Sequence, residues 1–335
     1  MEPLDSILIP AYNAEEWISD TIQSALDQTW QRKEIIIVND GSKDGTLAVA
    51  RRFASSNVAV IDHENQGAAG TRNTAFSNCQ GDYVQWLDAD DLLVPNKVAS
   101  QMDAAMRCGD VRTLISGPWG GFRYRVDKAK FVSTPLCADL SPVEWLLRKM
   151  GLNLHMQTAT WLTSRELTEA AGPWNTKLLS DDDGEYFCRV LLASNGVRFV
   201  PDARVLYRIT GTTRLSHIGF SQRKIEAQFL SMQMHIRYLR SLEDSERVRA
   251  ACVQYLQNWL MVFYPERMDI VGQARELANE LGGKLEDPKV RWKYSWIERL
   301  FGLETAKRAQ IVLPSAKASM FNVWDKTMHR LGINL

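Results

Sequence analysis

Four short runs of consecutive apolar residues alternate with amphipathic stretches in the first ninety residues of the chain. The runs cover residues 6–10, 34–38, 58–62 and 83–87. Apolar residues at consecutive positions, rather than at every second one, are typical of strands that helices cover on both faces. Strands that alternate with helices in this way form a parallel sheet with right-handed crossovers. We therefore predict a doubly wound α/β fold with a crevice along the carboxyl ends of its strands.

Polar segments follow three of these strands where they end, and the last of them, DADD, is the most acidic. Asp88 and Asp90 are two residues apart, so their side chains point to the same face of an extended backbone. Two like charges this close repel each other, and a cation between them relieves the repulsion. Oxygen ligands alone suit Mg²⁺ or Mn²⁺. The alternative is that Asp90 or Asp91 caps a helix that starts near Leu92.

Composition excludes several classes of protein. The 335 residues include 40 basic and 40 acidic ones, so no overall charge favours nucleic acid as a partner. The five cysteines are scattered without the spacing of a zinc site or a disulfide framework, which favours reduced thiols. The first residues lack the basic segment of a signal peptide, and no apolar run reaches the length of a membrane span. We therefore expect a cytoplasmic protein.

The character of the sequence changes near residue 220. Long helical stretches are predicted beyond it, over residues 223–242 and 245–262, with few strand signals. We predict two domains, an α/β catalytic region of residues 1–220 and an α-helical appendage of residues 221–335. Before the boundary, we expect a strand within residues 158–162.

Five blocks of sequence together carry a resemblance to a known family. SILIPAYN, EIIIVNDGSKDGT, NQGAAGTRN, DADD and SDDDGEYFCRVL, in this order and at these intervals, resemble family 2 glycosyltransferases of GT-A fold. The resemblance covers roughly residues 4–215. It implies a GT-A-like, mostly parallel sheet, a nucleoside diphosphate sugar as donor, Mg²⁺ or Mn²⁺ on the diphosphate, and inverting transfer to an acceptor hydroxyl. UDP is favoured because the Asp40 loop resembles the uracil-binding pattern of the family, while GDP and dTDP remain open.

The resemblance also implies a role for individual residues. Metal binding falls to Asp90 and Asp88, and Asp91 is left to cap the next helix. Contacts with the nucleotide sugar fall to nine residues at strand and helix ends: Pro10, Ala11, Tyr12, Asp40, Gly67, Arg72, Asn73, Asp88 and Ala89. The chemistry agrees, because a helix N-terminus attracts phosphate and a guanidinium can bind it with two hydrogen bonds. The structural alternatives are an Asp40 that stabilises its own loop and an ordinary helix start near Gly67.

Asp183 is the predicted general base, which takes the proton of the acceptor hydroxyl as that oxygen attacks the anomeric carbon. A like charge nearby raises the pKa of a carboxylate and helps it to act as a base. Counting back from Arg189 places Asp182 where the family usually has Glu, and the additional Asp181 leaves the assignment open by one residue. Asp182 is therefore the second catalytic candidate. Thr210 stands where His is common in the family, and His217 is a candidate to replace it.

Two other classes of function remain open. One is a nucleotide-sugar-binding module without catalysis, and the other is a nucleotidyltransferase, which usually has a Gly-rich basic loop after its first strand. The expected acceptor is a carbohydrate, a glycolipid or a protein. Residues 284–335 contain ten Lys or Arg against five Asp or Glu, interleaved with aromatic residues. This composition is compatible with peripheral contact at the inner face of a membrane, with an oligomer interface, or with a helical cap.

Overall fold

The computed structural model describes residues 2–210, 218 and 221–332. Its first part alternates strands and helices as the sequence predicts, and the apolar runs of the first, second and fourth strands are buried, while the third strand lies at the edge of the sheet and is partly exposed. The elements are β1 (Asp5–Ala11), α1 (Ile18–Leu26), β2 (Lys33–Asp40), α2 (Thr46–Arg51), β3 (Val58–His63), α3 (Gly67–Ser77) and β4 (Tyr83–Trp86).

The middle of the chain adds short strands and helices around this first unit. They are β5 (Leu92–Leu93), α4 (Lys97–Cys108), β6 (Thr113–Ser116), β7 (Trp119–Phe122), β8 (Lys130–Phe131), α5 (Pro142–Gly151), β9 (Thr163–Ser164), α6 (Arg165–Ala171), α7 (Asp182–Ala193), β10 (Gly196–Phe199) and β11 (Val205–Arg208). The main sheet has the order β3-β2-β1-β4-β9, and all its pairs are parallel except β4 with β9. The predicted mixed α/β class with a mostly parallel sheet is confirmed.

Long helices make up the last third of the described chain. They are α8 (Gln222–Leu242), α9 (Glu246–Phe263), α10 (Met268–Glu280) and α11 (Ser295–Arg330). The largest cluster of buried apolar side chains runs from β1 and β2 through α7 into α8, α9 and α10. The far end of α11 returns to the α/β region, where Asp325 accepts hydrogen bonds from the backbone of Tyr124 at 2.9 Å and from Arg125 Nε at 2.7 Å. The division at residue 220 stays a prediction.

Two local predictions are wrong. Residues Thr158–Thr160 form a 3₁₀ turn rather than a strand, because the Gln157 side chain accepts a hydrogen bond from the backbone of Ala159 at 2.6 Å. A helix does not start near Leu92 either, since that residue lies in β5 and the next helix begins at Lys97. Within the described residues, no helix has both the length and the apolar character that crossing a bilayer requires.

Candidate active site

The carboxyl ends of β1, β2 and β4 lie at the same edge of the main sheet. The parallel register pairs Ala11 with Asn39, so the loops that follow β1 and β2 leave the sheet side by side. Tyr12 is half exposed in the first of these loops, next to the partly buried Pro10. Ala89, after β4, fixes its loop by accepting a hydrogen bond from Thr21 Oγ1 at 3.0 Å. The structure thus brings these predicted nucleotide residues to one crevice.

Asp40 is buried at the end of β2 and holds the start of α3. Its carboxylate accepts hydrogen bonds from the backbone of Gln66 at 2.7 Å and of Gly67 at 3.1 Å, and from Asn65 Nδ2 at 3.0 Å. Gly67 is exposed with a φ of +78°, a conformation that favours glycine, and a Cβ there would meet no neighbour within 4 Å. Asp40 therefore supports the neighbouring loop, and the open space above Gly67 lets a ligand approach the backbone closely.

Arg72 joins the two acidic segments of the chain. Its Nη2 lies 2.8 Å from Asp88 Oδ1, and its Nη1 lies 2.8 Å from Asp182 Oδ2. The guanidinium also covers the ring of Trp174, 4.4 Å from its centroid. Because the arginine is buried on α3, it holds the strand-end carboxylate and the start of α7 in one site.

Asn73, the next residue on α3, faces the protein rather than the crevice. Its side chain accepts a hydrogen bond from the backbone N–H of Trp174 at 2.8 Å and donates one to the carbonyl of the same residue at 3.0 Å. These two bonds use both ends of the amide. The geometry gives Asn73 a structural role, and its contact with a nucleotide sugar stays a prediction.

The three acidic residues after β4 have different surroundings. Asp91 is fully buried, where it accepts hydrogen bonds from the backbone of Arg208 at 2.7 Å and from Gln157 Nε2 at 2.5 Å, so its predicted role as a helix cap is wrong. Burial raises its pKa well above the ordinary value. Asp90 accepts a hydrogen bond from Thr210 Oγ1 at 3.3 Å, and burial together with the charge of Asp88 raises its pKa to about 6.

Asp88 and Asp90 fit part of a site for a hard divalent cation. Both offer carboxylate oxygens, and at neutral pH Asp90, with its pKa of about 6, is mostly ionised. Residues 2–210, 218 and 221–332 contain no group of three or more acidic, His or Cys side chains that could hold a metal. A cation bound here would therefore take its other ligands from a diphosphate and from water, which is how Mg²⁺ is often held.

Asp182 and Asp183 differ in how freely they can react. Asp182 is paired with Arg72, and burial raises its pKa to about 6 against the lowering effect of that arginine. Asp183 accepts hydrogen bonds from the backbone of Gly184 at 2.9 Å and from Thr158 Oγ1 at 3.4 Å. Asp183 also lines a cavity of about 30 Å³. Of the two, Asp183 is the carboxylate without an arginine partner in the described structure.

Residues 6–131 match the family model described as Glycosyl transferase family 2. Over these residues the chain is similar to glycosyl transferase family 2, and the match covers less than half of the chain. The predicted resemblance is thereby confirmed for the part of the chain that carries the strand-end residues. The matched segment ends before Asp182 and Asp183, so the roles of these two residues stay predictions.

Three relatives illustrate what this chain is similar to. The UDP-Glc:alpha-D-GlcNAc-diphosphoundecaprenol beta-1,3-glucosyltransferase WfgD of Escherichia coli is 37% identical over 105 residues, which are 31% of this chain and 42% of that protein. The S. aureus TarS structure in complex with UDP-GlcNAc has a TM-score of 0.63 at 19% identity, covering 82% of this chain and 81% of the other. The mannosyltransferase PcManGT from Pyrobaculum calidifontis, in complex with GDP-Man and Mn²⁺, has a TM-score of 0.53 at 16% identity, covering 97% and 88%.

These similarities differ in how much of each chain they cover and in sequence identity. The chain spans between 19 and 43% of the length of the first curated relatives that it matches. The two solved structures cover most of the chain at low sequence identity, so they show that it shares their fold. The GT-A architecture predicted from the sequence is confirmed by the likeness to TarS.

The candidate site includes supporting residues whose roles sequence reasoning missed. Asp181 has a left-handed backbone, with a φ of +56°, and its carboxylate accepts hydrogen bonds from Ser231 Oγ at 2.6 Å and Gln228 Nε2 at 3.2 Å. Ser231 Oγ lies 3.3 Å from His235 Nε2, and His235 Nδ1 lies 3.1 Å from the Tyr255 hydroxyl. The sequence signal for this network was the pair of polar residues Ser231 and His235, one helical turn apart on the buried face of α8.

Arg208 is a second supporting residue, and it holds the acidic loop after β4. Besides the bond from its backbone to Asp91, its Nε donates to the carbonyl of Asp90 at 2.8 Å, and its guanidinium covers the ring of Trp17 at 4.5 Å. Arg208 therefore fixes the loop that carries the candidate metal ligands. The candidate replacement ligand, His217, lies outside the described residues.

Proposed function

We propose that this chain is an inverting glycosyltransferase that moves a sugar from a nucleoside diphosphate sugar to an acceptor hydroxyl. The observation that carries the proposal is the bridge made by Arg72, whose guanidinium binds Asp88 on the donor side and Asp182 beside the predicted base. The bridge supports a single site in which Arg72 and Asp88 would meet the diphosphate and the start of α7 would supply the base. Sugar transfer needs both groups within one crevice.

A UDP-sugar is the proposed donor. WfgD is named for UDP-Glc, and the TarS structure holds UDP-GlcNAc, whereas PcManGT holds GDP-Man. In this chain, Tyr12 is half exposed and precedes Asn13, whose backbone donates to Ser42 Oγ in the Asp40 loop at 3.0 Å, and its ring suits stacking on a base. The exposed backbone at Gly67, at the N-terminus of α3, suits the approach of a phosphate.

Asp183 is the proposed base. As the acceptor oxygen attacks the anomeric carbon, its proton passes to the Asp183 carboxylate, and the bond from that carbon to the diphosphate breaks. The electron pair of the broken bond leaves with the nucleoside diphosphate, and the attack from the opposite face inverts the anomeric configuration. Asp182 remains paired with Arg72 through this step, so its role is to orient the start of α7.

Asp90 and Asp88 are the proposed holders of Mg²⁺ or Mn²⁺. A divalent cation there would act as a Lewis acid on the diphosphate. Arg208 and Thr210 keep the Asp90 backbone and side chain in place, and Arg72 limits the repulsion around Asp88. The Mn²⁺ of PcManGT supports a metal in a related fold.

The proposed acceptor is a hydroxyl of a carbohydrate, a glycolipid or a glycoprotein. The acceptor in the name of WfgD is a sugar linked to a lipid diphosphate, which supports the glycolipid among these three.

All five cysteines are free in the structure, which supports a reducing compartment such as the cytoplasm.

The replacement Asp183→Asn tests the proposal. We expect it to lower the rate of sugar transfer or of donor hydrolysis by about 10²- to 10⁴-fold, because an amide cannot take the proton. Binding of UDP should be retained, as measured by calorimetry. Asp103→Asn, on the exposed face of α4, is the matched control. Full turnover by the Asp183→Asn variant would rule out this base, and absence of UDP-, GDP- or dTDP-sugar turnover in the unmodified chain would rule out the enzyme.

A further inference from the structure

A short segment near the C-terminus exposes large apolar side chains that the proposed sugar transfer does not use. Trp292 is 86% exposed, Trp296 57%, Leu300 70% and Phe301 63%. Of the 22 large hydrophobic side chains exposed in the described residues, eleven lie within residues 292–331. Exposed apolar side chains gathered in one segment mark an interaction surface.

The segment is fixed to the rest of the protein, so its outer face is a defined surface. Tyr294 and Ile297 are buried and form a small apolar cluster with Val290 and Ala306. Beyond this segment, α11 is interrupted at Gly302, which has a φ of +82°. After the interruption, the buried Lys307 donates to the carbonyls of Val262 and Tyr264 at 3.2 and 2.6 Å, which ties this part of α11 to the end of α9. The two tryptophans therefore lie on the side of the segment that points away from its own core.

Basic side chains accompany the exposed aromatic residues. Arg291, Lys293 and Arg299 are all exposed, and Glu298 is the acidic residue among residues 291–301. We call this set of exposed apolar and basic side chains within residues 291–301 the tryptophan surface. Its positive charge would oppose contact with the same surface of a second copy, because like charges would face each other. A partner that is both negatively charged and apolar complements the basic and the apolar side chains of the tryptophan surface.

We propose that the tryptophan surface docks the protein on a bilayer that contains anionic lipids. Indole rings prefer the headgroup region, where an apolar body and a polar N–H are both accommodated. Lys and Arg can extend along apolar surface and keep their charges at the lipid phosphates. Since the argument uses only the exposed residues of this segment, it does not depend on the proposed sugar transfer.

Sedimentation with vesicles tests the docking. We expect the full chain to bind phosphatidylcholine vesicles that contain phosphatidylglycerol, to bind vesicles of phosphatidylcholine alone much more weakly, and to be released by salt. The double replacements Trp292→Ser with Trp296→Ser, and Lys293→Glu with Arg299→Glu, should each weaken partitioning at least about tenfold. Their matched controls are Met106→Ser, an exposed apolar residue of α4, and Arg52→Glu with Arg107→Glu, which changes the net charge equally.

Three results would overturn the proposal. They are failure to bind anionic vesicles, equal binding by the tryptophan variant and its control, and self-association in solution that the tryptophan replacements disperse. The last result would identify the surface as a contact between copies of the chain. Thermal unfolding and UDP binding of each variant show whether the fold and the crevice are intact, so loss of docking can be separated from loss of the donor site.

Discussion

Arg72 and Asp182 lie 2.8 Å apart although 110 residues separate them in the sequence. The same guanidinium reaches Asp88, so a single buried side chain neutralises carboxylates from both acidic segments. Without it, the carboxylates at the end of β4 and at the start of α7 would face one another across the crevice. The arginine therefore holds the two acidic segments together, and the proposed reaction depends on this arrangement.

Replacing Arg72 with Met should lower the free energy of unfolding by about 2–4 kcal/mol, because two partly buried carboxylates lose their partner. Chemical denaturation measures this loss. The control Arg112→Met removes an exposed pair with Glu166 and should cost less than about 1 kcal/mol. Equal effects of the two replacements would show that the bridge does not stabilise the site.

Divalent metal should strengthen the binding of UDP through Asp90. We expect a chelator, or the replacement Asp90→Asn, to weaken UDP binding at least about tenfold, a loss of roughly 1.4 kcal/mol. Calorimetry with UDP and Mn²⁺ measures the affinity, and Asp103→Asn is again the matched control. An affinity for UDP that is the same with and without metal would contradict the assignment of Asp90.

Ser231→Ala should reduce turnover without changing UDP affinity, because in the described structure Ser231 reaches the candidate site through Asp181. Removing the hydroxyl takes away the 2.6 Å hydrogen bond to the Asp181 carboxylate, which holds the left-handed turn before α7. We expect kcat to fall roughly tenfold and the free energy of unfolding to fall by about 1–3 kcal/mol. Ser241→Ala, at an exposed serine of α8, controls for the loss of a helix hydroxyl. An unchanged kcat together with lowered stability would leave Ser231 a purely structural residue.

His235 should make the stability of the protein depend on pH. Burial, with the nearby charge of Lys149, lowers the pKa of its imidazole to about 3 from an ordinary value of 6.5. Below pH 6.5, His235 binds a proton in the unfolded chain but stays neutral in the folded chain until the pH approaches 3. This contribution to stability is therefore complete above pH 6.5 and declines as the pH falls toward 3, by at most about 1.4 kcal/mol per pH unit.

The replacement His235→Gln should reduce the change in unfolding free energy per pH unit, by an amount that corresponds to at most one proton. His329→Gln, at an exposed histidine, is the control. Urea unfolding at a series of pH values between 4 and 7.5 measures the slope. Identical slopes for the two variants would contradict the assignment of a neutral buried imidazole.

The sequence predicted most of the α/β region because the relevant signals are local. Each of the first four strands is a short apolar run, which is a local pattern that predicts a parallel sheet without knowledge of distant contacts. The third strand differs from the prediction in that it lies at the sheet edge and is partly exposed. The strand predicted within residues 158–162 is wrong, although their apolar and β-branched side chains favour a strand. Instead, the Gln157 side chain accepts a hydrogen bond from the backbone of Ala159, and the Gln157 carbonyl accepts one from Thr160 Oγ1, and these bonds stabilise a turn.

The site was predicted in part for the same reason. Asp88, Asp90 and Asp183 follow recognisable local patterns, and the structure brings their segments together through Arg72. The role of Asp91 could not be found locally, because its partner Arg208 lies 117 residues further along the chain. The hydrogen bond between Ser231 and Asp181 could not be predicted for the same reason. In the sequence alone, a serine that is buried on a helix cannot be told from an exposed one.

The link from Ser231 to Asp181 limits how freely this protein can exchange parts with its relatives. A chimaera that combines residues 2–210 of this chain with the helices of a relative would keep the strand-end carboxylates. It would lose the hydroxyl that sets the turn before α7 unless the incoming helix also presents one at that point. The helical half and the α/β half are thus expected to diverge together rather than as interchangeable modules.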